Sequence, residues 1–300
     1  MNVPLNNSQR TEVWNVIEKA ETVLQESNVW PNMFAAVMIK RAIENDKDKT
    51  FKTEYSFIDE AQDLSPVILA IIKETTSNAV FLAGDSDQSI YRKGFTWKRS
   101  GIDVSGRTKI LHTNFRNTIQ IHDFAEKYRN NFKDKDSETL PKAFRPGPPV
   151  EFTLRESSQA LYKEVIEQVK FCINILSYEP ENICIIAPRN DNLDKINNML
   201  TDELNQESQK IGAADFSFET SKGVRLTTLQ SCKGLDFPVV LLIADHRVRF
   251  DSSYDEETKD TQQHNLIYVA MTRAMEMLHI FSMEEPTAPA IIDLLKVRNY

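Results

Sequence analysis

Residues 224–244 read Val-Arg-Leu-Thr-Thr-Leu-Gln-Ser-Cys-Lys-Gly-Leu-Asp-Phe-Pro-Val-Val-Leu-Leu-Ile-Ala and carry the clearest signal for the fold. Two short apolar runs, Val224–Leu229 and Val239–Ala244, flank a polar turn. Short apolar runs bounded by turn residues are typical of strands buried within a parallel sheet. The stretch therefore predicts two buried strands, joined by a connection that presents polar side chains.

The same pattern extends in both directions along the chain. Further apolar runs predict strands at Tyr55–Ile58, Ala79–Ala83, Lys109–His112, Val150–Leu154, Ile183–Ala187 and Met277–Ser282. Apolar residues at helical spacing predict helices between them, including one over Leu266–Ala274, and two more in the first fifty residues. Residues 133–149 are rich in charge and proline and predict a loop or linker. Strand–helix–strand repetition predicts an α/β fold with parallel sheets flanked by helices.

Composition narrows the class of protein. The chain has 300 residues, with 36 basic and 44 acidic side chains and a net charge of −8, which disfavours coating nucleic acid by charge alone but allows a local basic groove. No apolar run approaches the ~18 residues of a membrane span, and residues 1–11 lack the apolar core of a secretory signal. Three cysteines without CxxC spacing argue against a disulfide framework or a zinc site, and favour a cytoplasmic location.

Two carboxylates follow the first predicted strand. Asp59 and Glu60 open the sequence Asp-Glu-Ala-Gln-Asp, at the carboxyl end of a strand, where parallel sheets bind ligands. One carboxylate can hold Mg²⁺ through its water shell while its neighbour takes a proton from an attacking water. An acidic first turn of an ordinary helix is an equally good interpretation of these residues in isolation.

Polar segments follow the next two predicted strands. Gln88, in Gly-Asp-Ser-Asp-Gln-Ser-Ile-Tyr (84–91), can sense a phosphate or an attacking water, although a plain βα turn also fits. Phe115 and Arg116, in Asn-Phe-Arg-Asn-Thr (114–118), can stack on a base and reach a phosphate. The alternative is a buried phenylalanine beside a surface arginine.

Two later segments can also handle an anion. The Lys233-Gly234 turn exposes backbone N–H groups. Arg273, in Tyr-Val-Ala-Met-Thr-Arg-Ala (268–274), leaves from the edge of a buried helical stripe. In a nucleoside triphosphatase it would be a candidate arginine finger, and otherwise a surface residue whose stem lies along apolar surface.

In this order the five segments resemble motifs II to VI of superfamily 1 helicases of the UvrD/Rep type. They are DEAQD (59–63), GDSDQSIY (84–91), NFRNT (114–118), TLQSCKGLDF (228–237) and YVAMTRA (268–274). The resemblance implies two RecA-like lobes, with ATP between them and single-stranded DNA lying across them. It divides the chain into a helical segment (1–50), a partial first lobe (51–113) and a complete second lobe (114–300) without the large inserted domain of UvrD and Rep.

The resemblance also implies roles for the matching residues of the first lobe. Asp59 would hold Mg²⁺, Glu60 would be the general base, and Gln88 would contact the γ-phosphate. After motif III, where the family usually has a tryptophan-arginine pair, Phe95 and Trp97 stand among basic residues that include Lys98 and Arg99. Aromatic and basic side chains together bind single strands without sequence specificity, but Trp97 can equally pack near a turn or anchor a protein partner.

For the second lobe the resemblance implies a set of nucleotide contacts. Phe115 would stack near the adenine, and Arg116 and Arg273 would stabilise charge on the γ-phosphate. Gly234 would offer its N–H to that phosphate. Asp236, where the family usually has glutamate, would accept a hydrogen bond from the ribose.

The 300 residues contain no Gly-x-x-x-x-Gly-Lys-Ser/Thr loop, the phosphate-binding loop of such enzymes. In the resembled family the strand before that loop lies beside the strand that leads into motif III. Unpaired backbone is therefore expected along Val80–Ala83. A partner chain, a second copy or a rearranged N-terminal element is expected to pair there.

Three functions remain open from the sequence. The chain can be part of an ATP-dependent DNA helicase or translocase whose loop comes from another chain or from an upstream region. It can be an ATPase-inactive relative that binds DNA or protein, or a remnant without activity. Retention of Asp59, Glu60, Gln88, Arg116 and Arg273 favours the first function, and the missing loop favours the second.

Overall fold

The structure is a computed structural model that describes residues 6–27, 32–46, 52–84, 101–102, 106–109, 111, 113–132, 142–252 and 254–298. Gln88 and the predicted DNA-contacting residues Phe95, Trp97, Lys98 and Arg99 lie outside these residues. Among the helices of these ranges, none combines the length and apolar character that a membrane crossing requires. The described chain divides into two compact units, one up to residue 108 and the other from residue 109 onward.

The first unit contains a helical lead-in followed by a strand–helix–strand element. Its described elements are α1 (Asn7–Ser27), α2 (Asn32–Asn45), β1 (Thr53–Ile58), α3 (Pro66–Thr75) and β2 (Thr76–Leu82). The hydroxyl of Ser65 caps α3 by accepting the N–H of Ile68, and Pro66 suits the first helical position because its missing N–H is not needed there. This crossover helix makes β1 and β2 parallel.

Little of the first unit is buried among the described residues. Ala61 and Leu69 are its two fully buried apolar side chains in that part of the chain. Phe57 lies opposite Phe81 in the two-stranded sheet, and their rings stack with centroids 4.8 Å apart. Phe57 is 77% exposed and Phe81 is 50% exposed, and Tyr55 on the same face is also exposed. One face of this small sheet is therefore an open aromatic surface, as far as the described residues show.

The second unit is built on a six-stranded parallel sheet with the order β5-β10-β9-β6-β8-β7, accompanied by a separate parallel pair, β3 and β4. Its described elements are β3 (Thr113–Thr118), α4 (Ile119–Asn130), β4 (Lys142–Arg145), β5 (Glu151–Arg155), α5 (Ser158–Asn174), β6 (Ile183–Ala187), α6 (Asn190–Leu204), β7 (Ser208–Lys210), β8 (Val224–Thr228), β9 (Phe237–Ala244), α7 (Glu256–Met271), β10 (Ala274–Met283) and α8 (Pro289–Val297).

Helices cover both faces of the six-stranded sheet. Because side chains alternate along a strand, Ile183 and Ile185 of β6 pack on α5 and α6, whereas Cys184 and Ile186 pack on the side of α4, α7 and α8. All five residues of β6 are buried, as the continuous apolar run predicted. The prediction of an α/β protein with parallel sheets flanked by helices is confirmed.

Two local predictions were wrong, both around the second small sheet. Lys109 and Leu111 lie outside any strand, and the strand begins at Thr113 instead, so the Asn-Phe-Arg-Asn-Thr segment is part of β3 rather than the turn after it. The predicted linker 133–149 contains β4, which pairs through Lys142 opposite Thr113. Both strands are half exposed and polar, so they lack the apolar run that reveals a buried strand.

Gly223, directly before β8, lies close to the backbone of Glu207, directly before the edge strand β7. A Cβ atom at Gly223 would meet the carbonyl oxygen of Glu207 at 2.2 Å, and its φ of +91° is already left-handed. Gly212 has a φ of +90°, and apart from its chain neighbours no atom in the described part of the chain lies within 4 Å of its Cβ position. We expect Gly212→Ala to lower the free energy of unfolding by about 1–2 kcal/mol, and Gly223→Ala by about 1–3 kcal/mol more because of the clash. Urea unfolding measures both, and equal losses would contradict the close approach.

His279, on β10, predicts a loss of stability in mild acid. Burial lowers the pKa of His279 to about 4, although Glu164 opposes the shift. Glu151 lies 3.4 Å from its Nδ1 but is 56% exposed, so burial outweighs this contact. Between pH 6.5 and 4 the unfolded chain binds a proton that the folded chain does not. The free energy of unfolding should therefore fall by about 3 kcal/mol as the pH drops through that window. His279→Gln should flatten this dependence in urea unfolding at several pH values, and an unchanged slope would contradict it.

Candidate functional site

The acidic pair lies at the carboxyl end of β1. Asp59 is exposed, and its Oδ1 accepts the backbone N–H of Glu60 at 2.8 Å. Glu60 has a left-handed backbone, with a φ of 50°. Such a conformation is costly for a residue other than glycine, and it is concentrated at functional sites. Hydrogen bonds from Ala83 N–H to the Ile58 carbonyl and from Ala61 N–H to the Ala83 carbonyl hold this end of the sheet together.

The chemistry of this pair suits a hydrated magnesium ion. Mg²⁺ keeps several waters and usually takes one or two carboxylates together with substrate phosphates. Within the described ranges, no three His, Cys, Asp or Glu side chains converge as a metal cage. Asp59, which is exposed, and the adjacent Glu60 offer the one or two carboxylates that such a hydrated ion takes.

In the second unit, two predicted site residues, Arg116 and Arg273, both lie close to the carboxylate of a third, Asp236. The Nε of Arg116 lies 2.9 Å from Oδ2 of Asp236, and Nη1 of Arg273 lies 3.6 Å from Oδ1 of the same side chain. Arg116 is in β3, Asp236 comes directly before β9, and Arg273 comes directly before β10. The fold thus brings the segments predicted as motifs IV, V and VI into contact.

Arg273 lies in a turn and not on a helix. The predicted helix over Leu266–Ala274 ends early, since α7 stops at Met271 and Ala274 already pairs opposite Phe237 as the start of β10. The Phe237 N–H also donates to the carbonyl of Arg273 at 3.0 Å. The arginine is therefore fixed by the strand that follows it rather than by a helical stripe.

The side chain of Arg273 is buried within the second unit. It is 1% exposed, so the alternative of a surface arginine is wrong. Its Nε donates to the Val269 carbonyl at 3.1 Å, its Nη1 to the Leu235 carbonyl at 3.4 Å, and its Nη2 to the Thr272 hydroxyl at 3.2 Å. The Nη1 atom, which lies 3.6 Å from Asp236, is therefore also held by the Leu235 carbonyl.

Two side chains whose role the sequence did not reveal pin Arg116 to the turn around Arg273. Asn117 is 2% exposed and donates through Nδ2 to the carbonyls of Thr272 at 3.0 Å and Ala274 at 2.6 Å. The Nη2 of Arg145 donates to the carbonyl of Arg116 at 3.1 Å and to that of Met275 at 2.6 Å. Asn117 stood inside a recognised motif, but Arg145 lay in a predicted linker that gave no signal.

Phe115 presents an open aromatic face. It is 73% exposed and contacts Phe144 edge-on, with ring centroids 5.3 Å apart. The alternative of a buried phenylalanine is therefore wrong. Exposed neighbouring rings on β3 and β4 form an apolar surface on which a planar base can stack.

Gly234 lies in the turn between β8 and β9. Its φ is +76°, and among the described residues other than its chain neighbours no atom lies within 4 Å of its Cβ position, so the left-handed backbone calls for glycine. The turn is tightened because the N–H groups of Ser231 and Cys232 both donate to the Thr228 carbonyl. The space beside Gly234 is open to a ligand.

Two models of helicase domains match parts of the chain. The family model of the UvrD/REP helicase N-terminal domain matches residues 6–104, and that of the UvrD-like helicase C-terminal domain matches residues 203–285. A protein of Acanthamoeba polyphaga mimivirus, named "Putative ATP-dependent DNA helicase", is 25% identical over 247 residues, which cover 76% of this chain and 34% of that protein. The chain thus spans about a third of the length of that relative.

A solved structure is also similar. The C-terminal domain of a possible DNA helicase from Lactobacillus plantarum WCFS1 superposes with a TM-score of 0.43 and 19% identity. The superposition covers 61% of this chain and 94% of that one.

Proposed function

This chain belongs to the UvrD/Rep family of superfamily 1 helicases, and from that premise we propose that it is part of an ATP-dependent DNA helicase or translocase. The phosphate-binding loop comes from another chain or from sequence upstream of these 300 residues. ATP and Mg²⁺ are the cofactors, and single-stranded DNA is the nucleic acid that the protein binds. The compartment is the cytoplasm, in keeping with three buried cysteines that are not disulfide-bonded.

The convergence of Arg116 and Arg273 on one carboxylate is the observation that carries this proposal. Two guanidinium groups aimed at the same point are an arrangement suited to a phosphoryl group, whose oxygens accept several charge-assisted hydrogen bonds. The open space beside Gly234 adds room for such a group.

Each site residue then has a chemical task. Asp59 would hold Mg²⁺, which when bound neutralises charge on the phosphates. The carboxylate of Glu60 would take the proton of the attacking water. Arg116 and Arg273 would stabilise the charge that develops on the γ-phosphate oxygens. Phe115 would stack on the adenine.

A partner at the first unit is part of the proposal. Among the described strands, β2 pairs with β1 alone, so one edge of β2 has no strand beside it in that part of the chain. Strands of parallel sheets are normally covered on both faces, and unpaired edges attract another strand. The segment that bears the phosphate-binding loop, a partner chain or a second copy would pair near Val80–Ala83. It would cover the exposed rings of Phe57 and Phe81.

A second candidate function rests on Arg273. Because this guanidinium is bonded inside the second unit, the chain can also serve as an ATPase-inactive subunit that binds DNA or a protein. Binding of single strands would then use Phe95, Trp97, Lys98 and Arg99. In this case the exposed aromatic sheet face of the first unit would be a protein-docking surface.

ATP hydrolysis separates the two candidate functions. The chain alone should hydrolyse little or no ATP. Co-expression with a polypeptide that carries the Gly-x-x-x-x-Gly-Lys-Ser/Thr loop, such as the product of an adjacent reading frame, should yield hydrolysis stimulated by single-stranded DNA. A stable complex that binds a labelled oligonucleotide by fluorescence anisotropy but never hydrolyses ATP would favour the inactive subunit. Robust hydrolysis by the chain alone would overturn the assignment of a missing loop.

A further inference from the structure

Asp236 stands between the two arginines where an anionic ligand would bind. We propose that Asp236 is an internal counter-ion that holds Arg116 and Arg273 in place and that an incoming polyphosphate must displace. The inference rests on the proposed function, because it concerns the same arginines. It gives Asp236 a task other than contact with a ribose. The carboxylate determines how much negative charge an anion must carry in order to bind to the two arginines.

The burial of Arg273 explains why a counter-ion is needed. A charge that is 1% exposed is costly unless another charge compensates it. The Val269 and Leu235 carbonyls supply hydrogen-bond acceptors but no net charge. Asp236 supplies that charge at 3.6 Å.

The exposure of the other two side chains explains how the carboxylate can leave. The side chain of Arg116 is 40% exposed and that of Asp236 is 33% exposed, so both can move into water without rearranging the core. Arg116 is the closer partner, at 2.9 Å, and therefore loses most when the carboxylate departs. Arg273 stays in place because its Nε and Nη1 also donate to backbone carbonyls and its Nη2 donates to the Thr272 hydroxyl.

Competition between like charges determines which anions bind. An oxyanion within hydrogen-bond distance of both guanidinium groups would lie against the Asp236 carboxylate, and two adjacent negative charges repel. A singly charged anion gains little by replacing another single charge. A diphosphate or triphosphate carries more charge and more acceptor oxygens, so it can displace the carboxylate. The site thus selects polyphosphate over monovalent anions.

Pyrophosphate binding by calorimetry, at constant ionic strength and without ATP or DNA, tests the proposal. Asp236→Asn keeps the shape but removes the competing charge, and it should bind pyrophosphate about tenfold more tightly than the unmodified chain. Adding Arg116→Ala to this variant should remove the gain. Asp260→Asn is the matched control, because Asp260 pairs with Arg247 at 2.5 Å and is 34% exposed, much like Asp236. It should leave the affinity unchanged.

An unchanged or weaker affinity in folded Asp236→Asn would overturn the proposal. If this variant does not fold, the guanidinium Nε–H signals of the unmodified chain in ¹⁵N NMR decide instead. Saturating pyrophosphate should shift the Arg116 signal, assigned by its loss in Arg116→Lys, and no shift would overturn the proposal. Since no measurement involves turnover, failure of ATP hydrolysis in the assembled protein would leave a positive result intact.

Discussion

Glu60→Gln should lower DNA-stimulated ATP hydrolysis, by the chain assembled with its phosphate-binding loop, about 10²- to 10⁴-fold. The substitution removes the group that accepts the proton of the attacking water but keeps the size of the side chain. The left-handed backbone at residue 60 belongs to the turn after β1 and should persist. Nucleotide affinity should therefore stay close to that of the unmodified protein, so the loss should appear in kcat.

Glu54→Gln is the matched control for this prediction. Glu54 is an exposed carboxylate on β1, several residues before the turn that contains Glu60. It should leave turnover unchanged. Equal effects of the two substitutions, or a Glu60→Gln protein that hydrolyses ATP normally, would contradict the assignment of Glu60 as the base.

Arg273→Ala should produce the largest loss of stability among the site variants. The guanidinium is buried and bonded to the Val269 and Leu235 carbonyls, so its removal takes a donor from each of them and opens a cavity, although Val269 keeps the hydrogen bond from the Thr272 hydroxyl. We expect the free energy of unfolding of the second unit to fall by about 3–5 kcal/mol. Urea unfolding followed by circular dichroism measures this loss.

Arg116→Ala should lower the rate of ATP turnover with little effect on the free energy of unfolding. Arg116 is 40% exposed and pairs with the same carboxylate, so its removal should cost at most about 1 kcal/mol. Turnover of the assembled protein should nevertheless fall by about 10³-fold or more, as for other arginines that stabilise phosphoryl transfer. A stable Arg273→Ala protein, or an Arg116→Ala protein with full turnover, would contradict these roles.

The sequence predicted the parts of the fold that depend on apolar runs. Strands such as Ile183–Ala187 are buried on both faces and therefore apolar throughout, so the run of apolar residues is enough to predict them. The polar strands β3 and β4 escaped prediction because each is defined by its pairing with the other and not by an apolar pattern. Helix α7 ends before Arg273 because Ala274 pairs with β9, which is tertiary information that residue spacing does not contain.

Some features of the candidate site could likewise be predicted from the sequence, and others could not. Arg116, Asp236 and Arg273 could be selected from the motifs, and the structure places them together. That Asp236 bridges two arginines, and that Arg273 is buried, could not be predicted. Both facts depend on contacts between residues far apart in the sequence. Asn117 and Arg145 were missed for the same reason, since their partners near residue 273 are long-range.

The position of β10 has a consequence for the order in which the molecule can be built. This strand lies between β5 and β9, and it is the last strand of the described chain. During synthesis, β5 has no neighbour in the large sheet and Asn117 has no carbonyls to bind until residues 272–283 have emerged. Contacts of such sequence separation form late and make folding slow. Until residues 272–283 have emerged from the ribosome, a nascent chain therefore cannot bring Arg116 and Arg273 together at Asp236.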